Sequence, residues 1–184
     1  MKQNQTLCFL QSLIFLPFMT LSFNVNADNI TKSIPVIPWK VNQIDKQLAL
    51  KMERTKKIDY YFSSRNLPLA GHGLKMVEVA EEYGLDWRII PAIAMRESTA
   101  GKFACKNVPN NPFGWGSCEI GFDSIDQAIE TIGHNLSGKN PVTAEYYSGD
   151  LESILDNYNG LVVLEYAEQV MSIMDAISNE KDLA

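Results

Sequence analysis

The chain has 184 residues, 46% of them apolar, which is enough to bury the core of one domain and excludes a largely disordered polypeptide. Lys and Arg number 16 against 22 Asp and Glu, for a net charge of −6. The balance is uneven, with eight basic and four acidic residues over 28–66 but seven and eighteen over 67–184. An acidic main region excludes a nucleic-acid binder, whose domain presents a concentrated basic face.

Lys2 leads into "LCFLQSLIFLPFMTLSF", and "VNA" follows, ending at Ala27. A basic start, a short apolar run and a small terminal residue predict a secretory signal peptide over 1–27. As a membrane span the run is short of the roughly 20 residues needed, and Gln11 and Pro17 interrupt it. The expected protein is therefore exported, to the periplasm, the cell envelope or beyond, without stable membrane insertion after cleavage. Cleavage also removes Cys8, leaving Cys105 and Cys118, and an even pair in an exported chain reads as a disulfide.

"DNITKSIPVIPWK" carries two prolines and no periodic pattern, so 28–42 reads as an extended arm, with no role assigned to Trp39. Ile44, Leu48, Met52, Ile58, Tyr61 and Phe62 recur at helical spacing and predict a basic helix over 43–66, ended by "RNLPLAGHG". The main domain is expected over 67–180. Its first helix carries the stripe Met76, Val79, Ala80, Tyr83, with Gly84 placed as C-cap. Asp86 is expected to N-cap the next helix, in which Pro91 opens or kinks the turn before residues 91–98.

Ser124 and Gln127 fit a capping box ahead of the stripe Ile125, Ala128, Ile129, Ile132, Leu136. His134 falls off that stripe and reads as an ordinary half-buried imidazole. Leu151, Ile154, Leu155 and Tyr158 mark a short helix ended by "NG", and Tyr166, Val170, Ile173, Met174 and Ile177 mark the last one. Trp87, Tyr146 and Tyr147 read as helical core aromatics. No alternating strand pattern competes, so the predicted class is all-α.

Glu97 falls one turn past Ile93 and two past Ile90, continuing a stripe that faces the core. Desolvation disfavours the charged form of a carboxyl, and a general acid must hold its proton near neutral pH. Glu97 is thus a candidate to protonate a glycosidic oxygen. The loop "NNPFGWGSC" follows, in which Asn110 and Asn111 offer amides to sugar hydroxyls and Phe113 and Trp115 offer stacking faces. Gly114 and Gly116 flank Trp115 and allow close backbone approach. Twelve residues separate Cys105 from Cys118, and a crosslink of that span contributes about 3 kcal/mol. A zinc centre built from these cysteines with His72 and His134 lacks the usual close pair, so no metal or cofactor is expected.

"YGLDWRIIPAIAMRES" resembles the catalytic-glutamate helix of the lysozyme-like superfamily of transglycosylases and glucosaminidases, in which Glu followed by Ser closes an apolar helix. "NNPFGWG" resembles the Asn-x-Phe-Gly loop of bacterial glucosaminidases and holds the place of the Gly-Leu-Met-Gln loop of soluble lytic transglycosylases. "NYNG" is similar to the Ala-Tyr-Asn-Ala-Gly motif of the latter, with Gly160 directly after Asn159. The resemblance spans about 67–177. It implies a lysozyme-like helical domain and Glu97 as acid, with Ser98, Asn111, Phe113, Gly114, Trp115, Tyr158 and Asn159 along a saccharide groove. It also implies that Tyr166 hydrogen-bonds the acid.

The implied substrate is the β-1,4 glycan of peptidoglycan, cleaved between N-acetylmuramic acid and N-acetylglucosamine by transglycosylation or hydrolysis. No motif fixes a second acid, and Glu119 and Asp123 are candidates only by proximity in sequence. A second reading keeps the scaffold but not the chemistry: a protein that holds peptidoglycan, or assembles an envelope machine, without cutting.

Overall fold

The computed structural model describes residues 38–160 and 162–181. The expected signal peptide over 1–27 and residues 28–37 of the expected arm lie outside the described residues. Among those described there are six α-helices and no strand: α1 (Pro38–Ser63), α2 (Gly73–Tyr83), α3 (Ile89–Ser98), α4 (Ile125–Leu136), α5 (Leu151–Leu155) and α6 (Tyr166–Ser178). A 3-10 turn covers Trp115–Cys118 and a π turn covers Asp156–Gly160. The chain is all-helical and carries one disulfide, Cys105–Cys118.

α3 sits at the centre because its sequence leaves it no solvent face. Every residue from Ile89 to Ala94 is buried, the behaviour of a helix that is apolar all round. It packs mainly against α6, and also against α2 and α4. Pro91 falls in the first turn, where its missing N–H would have had no helical partner in any case. Polarity returns only at the end of the helix, in Arg96, Glu97 and Ser98, which is where the site lies.

The surrounding helices are set by their caps. Gly84 takes the left-handed conformation at φ 71° and closes α2 as expected. Ser124 caps α4 through its hydroxyl, which accepts from Gln127 N at 3.1 Å. The Gln127 side chain reaches back to Asp123 N at 2.6 Å, one residue earlier than a standard capping box. Gly133 on α4 permits the close crossing with α2, since a Cβ there would lie 2.2 Å from Val79. Among the described residues no helix is long and apolar enough to cross a membrane.

Two expectations change. α1 begins at Pro38, so residues 38–42 belong to the helix and not to the arm; proline is tolerated in a first helical turn, where its absent N–H costs nothing. The stripe of α1 also divides in two. Ile58, Tyr61 and Phe62 are buried against the domain, whereas Ile44, Leu48 and Met52 stay 63%, 57% and 45% exposed, because 26 residues of α1 outrun the 11 of α2. Asp86 does not cap α3, whose N-cap position is Arg88. Its carboxylate accepts from Arg88 N at 2.9 Å and forms an Asx turn just ahead of the helix.

Candidate active site

α3 ends in a run of left-handed residues, Thr99, Ala100 and Gly101, that turns the chain away immediately after Glu97. Glu97 is thereby held at the mouth of the domain, half-buried, and its side chain opens into a groove of about 460 Å³. Phe113, Gly114, Trp115, Gly116, Ser117, Tyr147, Tyr158 and Asn159 share that groove.

The carboxylate is fixed from behind. Tyr166, fully buried at the start of α6, donates its hydroxyl to Glu97 Oε1 at 2.6 Å. Tyr158 stacks on Tyr166 with ring centroids 6.0 Å apart and planes 10° from parallel, and donates to the Phe113 carbonyl at 2.9 Å. Burial first, and then the neighbouring Glu97 carboxylate, push both phenols well above their usual range, so both remain neutral donors. Glu97 Oε2 makes no hydrogen bond among the described residues. It faces Gly114, whose φ of 65° favours glycine and where even a Cβ would stand 3.4 Å from that oxygen.

The opposite wall is the loop closed by Cys105–Cys118, with Cα atoms 5.4 Å apart. Gly114, Gly116, Ser117 and Cys118 all have positive φ, an arrangement that helix or strand ladders cannot stabilise. Side chains hold it instead. Asn111, 1% exposed, donates to the carbonyls of Trp115 at 2.8 Å and Ile120 at 2.9 Å. Its Oδ1 accepts from Phe113 N at 3.3 Å and Trp115 N at 3.1 Å. Ser98 ties the loop to α3, donating to the Pro112 carbonyl at 2.6 Å and accepting from Gly101 N at 2.8 Å.

These contacts revise several expected roles. Asn111 was expected to meet the ligand, but its amide is buried and fully engaged in shaping the loop. Asn110 likewise donates to the Phe122 carbonyl at 2.9 Å. Ser98 positions the loop and is not among the lining residues, whereas Phe113 lines the groove although it is 1% exposed and its ring packs in the core. Glu119 and Asp123 are exposed and stand outside the groove, which among its described lining residues holds one carboxylate, Glu97. Glu97, Phe113, Gly114, Trp115, Tyr158 and Asn159 come together around the groove, with Tyr166 behind Glu97.

Tyr147 is the groove residue that sequence reasoning missed. It lies in a turn and not on a helix, with its ring 6.3 Å from Trp115 and 6.5 Å from Tyr158, whereas the adjacent Tyr146 is 61% exposed. No periodicity marks the "EYYSG" segment, and only the spacing to "NYNG" could have hinted at it. His134 is half-buried beside Tyr83, and His72 pairs with Asp126 at 2.9 Å. Cys105 and Cys118 are joined to each other, so neither offers a thiolate. Comparisons with protein-family models, curated proteins and solved structures find no match for this chain.

Proposed function

We propose that the chain is an exported, lysozyme-like glycosidase that cleaves the β-1,4 glycan of peptidoglycan between N-acetylmuramic acid and N-acetylglucosamine, with Glu97 as its acid and base. One observation carries the reading: Tyr166 holds one oxygen of Glu97 while the other, without a partner among the described residues, is left to a groove walled by Trp115, Tyr147 and Tyr158. Aromatic faces suit pyranose rings, and a carboxyl with one fixed and one available oxygen suits proton transfer to a bridging oxygen.

The steps follow from that geometry. Protonated Glu97 gives its proton to the glycosidic oxygen as the bond to the anomeric carbon breaks, leaving a carboxylate that the Tyr166 hydroxyl stabilises. That carboxylate then takes a proton from the incoming nucleophile, either water or the 6-hydroxyl of the muramic ring. A single acid among the described residues lining the groove favours the second route, since hydrolysis with inversion calls for another carboxylate about 6.5–9.5 Å away. Export is supported by the leader-like residues 1–27 and by the disulfide, which persists in oxidising compartments.

The test is clearing of purified cell walls by the exported chain and by its Glu97→Gln variant, which keeps an acceptor for Tyr166. Loss of a general acid is expected to slow clearing by about 10²- to 10⁴-fold. An unchanged rate in the variant rules out this chemistry, and absence of clearing by the wild type favours a protein that holds the glycan without cutting it. Masses of the released fragments distinguish anhydro ends from reducing ends, and so transglycosylation from hydrolysis.

A further inference from the structure

The polar side chains around the groove divide into those engaged within the protein and those that face it without a partner. Asn110, Asn111, Ser98, Tyr158 and Tyr166 belong to the first group. Ser117, Tyr147 and Asn159 line the groove and make no side-chain hydrogen bond among the described residues. Of these three, Tyr147 is the one held rigidly: its residue is 9% exposed and its ring packs beside both Trp115 and Tyr158, which also touch each other. Its hydroxyl is not sealed off, since Thr55 has the one sealed, unpartnered side-chain oxygen among the described residues.

The charge around these groups is equally informative. No Lys, Arg or His is among the described residues lining the groove, and its one charge is the carboxylate of Glu97. A ligand carboxylate placed there would meet a like charge with no cation to offset it. An uncharged ring bearing hydroxyl or acetamido groups would meet aromatic faces and neutral donors.

We propose that Tyr147 is the specificity-determining residue of this groove, donating its hydroxyl to an uncharged N-acetylhexosamine ring laid against Trp115 and Tyr158. The inference rests on the glycan reading of the groove given above and adds which sugar it selects and by which side chain. Burial pushes the Tyr147 phenol up, which keeps it a donor across the pH range of use. Rigid placement matters because a preset donor loses little rotamer freedom on binding.

The experiment measures binding with Glu97 in place, with and without Tyr147→Phe, on probes whose bridging glycosidic oxygens are replaced by sulfur so that they resist cleavage. The probes are neutral tetra-N-acetylchitotetraose and a peptide-free glycan fragment of equal length bearing free lactyl carboxylates, titrated by calorimetry. Phe keeps the ring that packs on Trp115 and Tyr158, and a thermal melt of each variant verifies that the fold is retained.

Tyr147→Phe is expected to weaken the neutral probe about five- to tenfold, as befits one neutral hydrogen bond. With Tyr147 present, the neutral probe is expected to bind at least roughly tenfold tighter than the carboxylated one at low salt, and the gap is expected to narrow as salt rises. Equal affinity with and without the hydroxyl, a preference for the carboxylated probe, or no binding of either overturns the proposal. If the neutral probe binds as described but the wild type cuts no wall, cleavage fails and the recognition stands. If the wild type cuts and Tyr147→Phe changes nothing, recognition alone fails.

Discussion

The two walls of the groove are built by opposite means. On the Glu97 side, α3 and α6 are regular helices whose apolar surfaces fix the geometry, and Tyr166 is fully buried between them. Across the groove, Asn110, Ser117 and Cys118 take left-handed conformations that cost energy in isolation, beside the left-handed Gly114 and Gly116, and an amide, a hydroxyl and a disulfide hold the loop. The helical wall is stabilised by area removed from water, which many residues share. The loop wall depends on a few directional contacts, and so a single substitution can dismantle it. Glu97 thus stands on the robust side, and the surface facing it stands on the fragile one.

The largest effect on this contrast is expected from Asn111→Ala. It strips donors from two carbonyls and acceptors from two amides at once, at a cost of roughly 4 kcal/mol. Urea unfolding would measure it, and a cost below about 1 kcal/mol would show that this amide does not shape the loop. Next comes replacement of Cys105 and Cys118 by serine together, expected to cost about 3 kcal/mol and to slow wall clearing while the helical circular dichroism stays intact. A double-serine variant that clears walls at the wild-type rate would mean that the loop wall stands without its crosslink.

The smallest effect is the pH dependence, carried by contacts far from the groove. Burial would raise the Asp86 carboxyl, but the Arg88 side chain and amide hold it below the usual range, and Lys75 and Tyr83 do the same for Glu130. Their contribution is present above about pH 4, where the unfolded carboxyls are ionised, and is lost as pH falls through the depressed values. Tyr83, held up to about 12 by its hydrogen bond to Glu130, acts at the other limb: its contribution is present below about pH 10 and lost as pH rises through 12. These groups are partly exposed, so both limbs should be shallow and weaken in salt. Stability that rises on acidification below pH 4 would contradict the assignment.

The helical wall was legible in the sequence for the same reason that it is robust. An apolar run such as Ile89–Ala94, a stripe ending at Gly84 or a Ser124 cap is a local pattern, and packing rewards it wherever the chain places it. Helix ends were less legible: Pro38 read as part of an arm although proline also opens helices, and Asp86 formed a turn one step before the cap it was expected to make. The loop wall was legible in its residues but not in their roles. "NNPFGWG" marks a site, yet whether Asn111 meets a ligand or its own backbone depends on where the carbonyls of Trp115 and Ile120 point, and no local pattern encodes that. Tyr147 reaches the groove by a turn without periodicity, and only the fold brings it beside Trp115.

The central claim is that the oxygen of Glu97 left unbonded by Tyr166 breaks the glycan. It is tested most directly by counting the new chain ends released from purified sacculi, by mass spectrometry, for the wild type and for Glu97→Gln at equal folded concentration. The account predicts anhydro-muramic ends accumulating with the wild type and a rate at least about a hundredfold lower with the variant. New ends appearing at the same rate in both would contradict it.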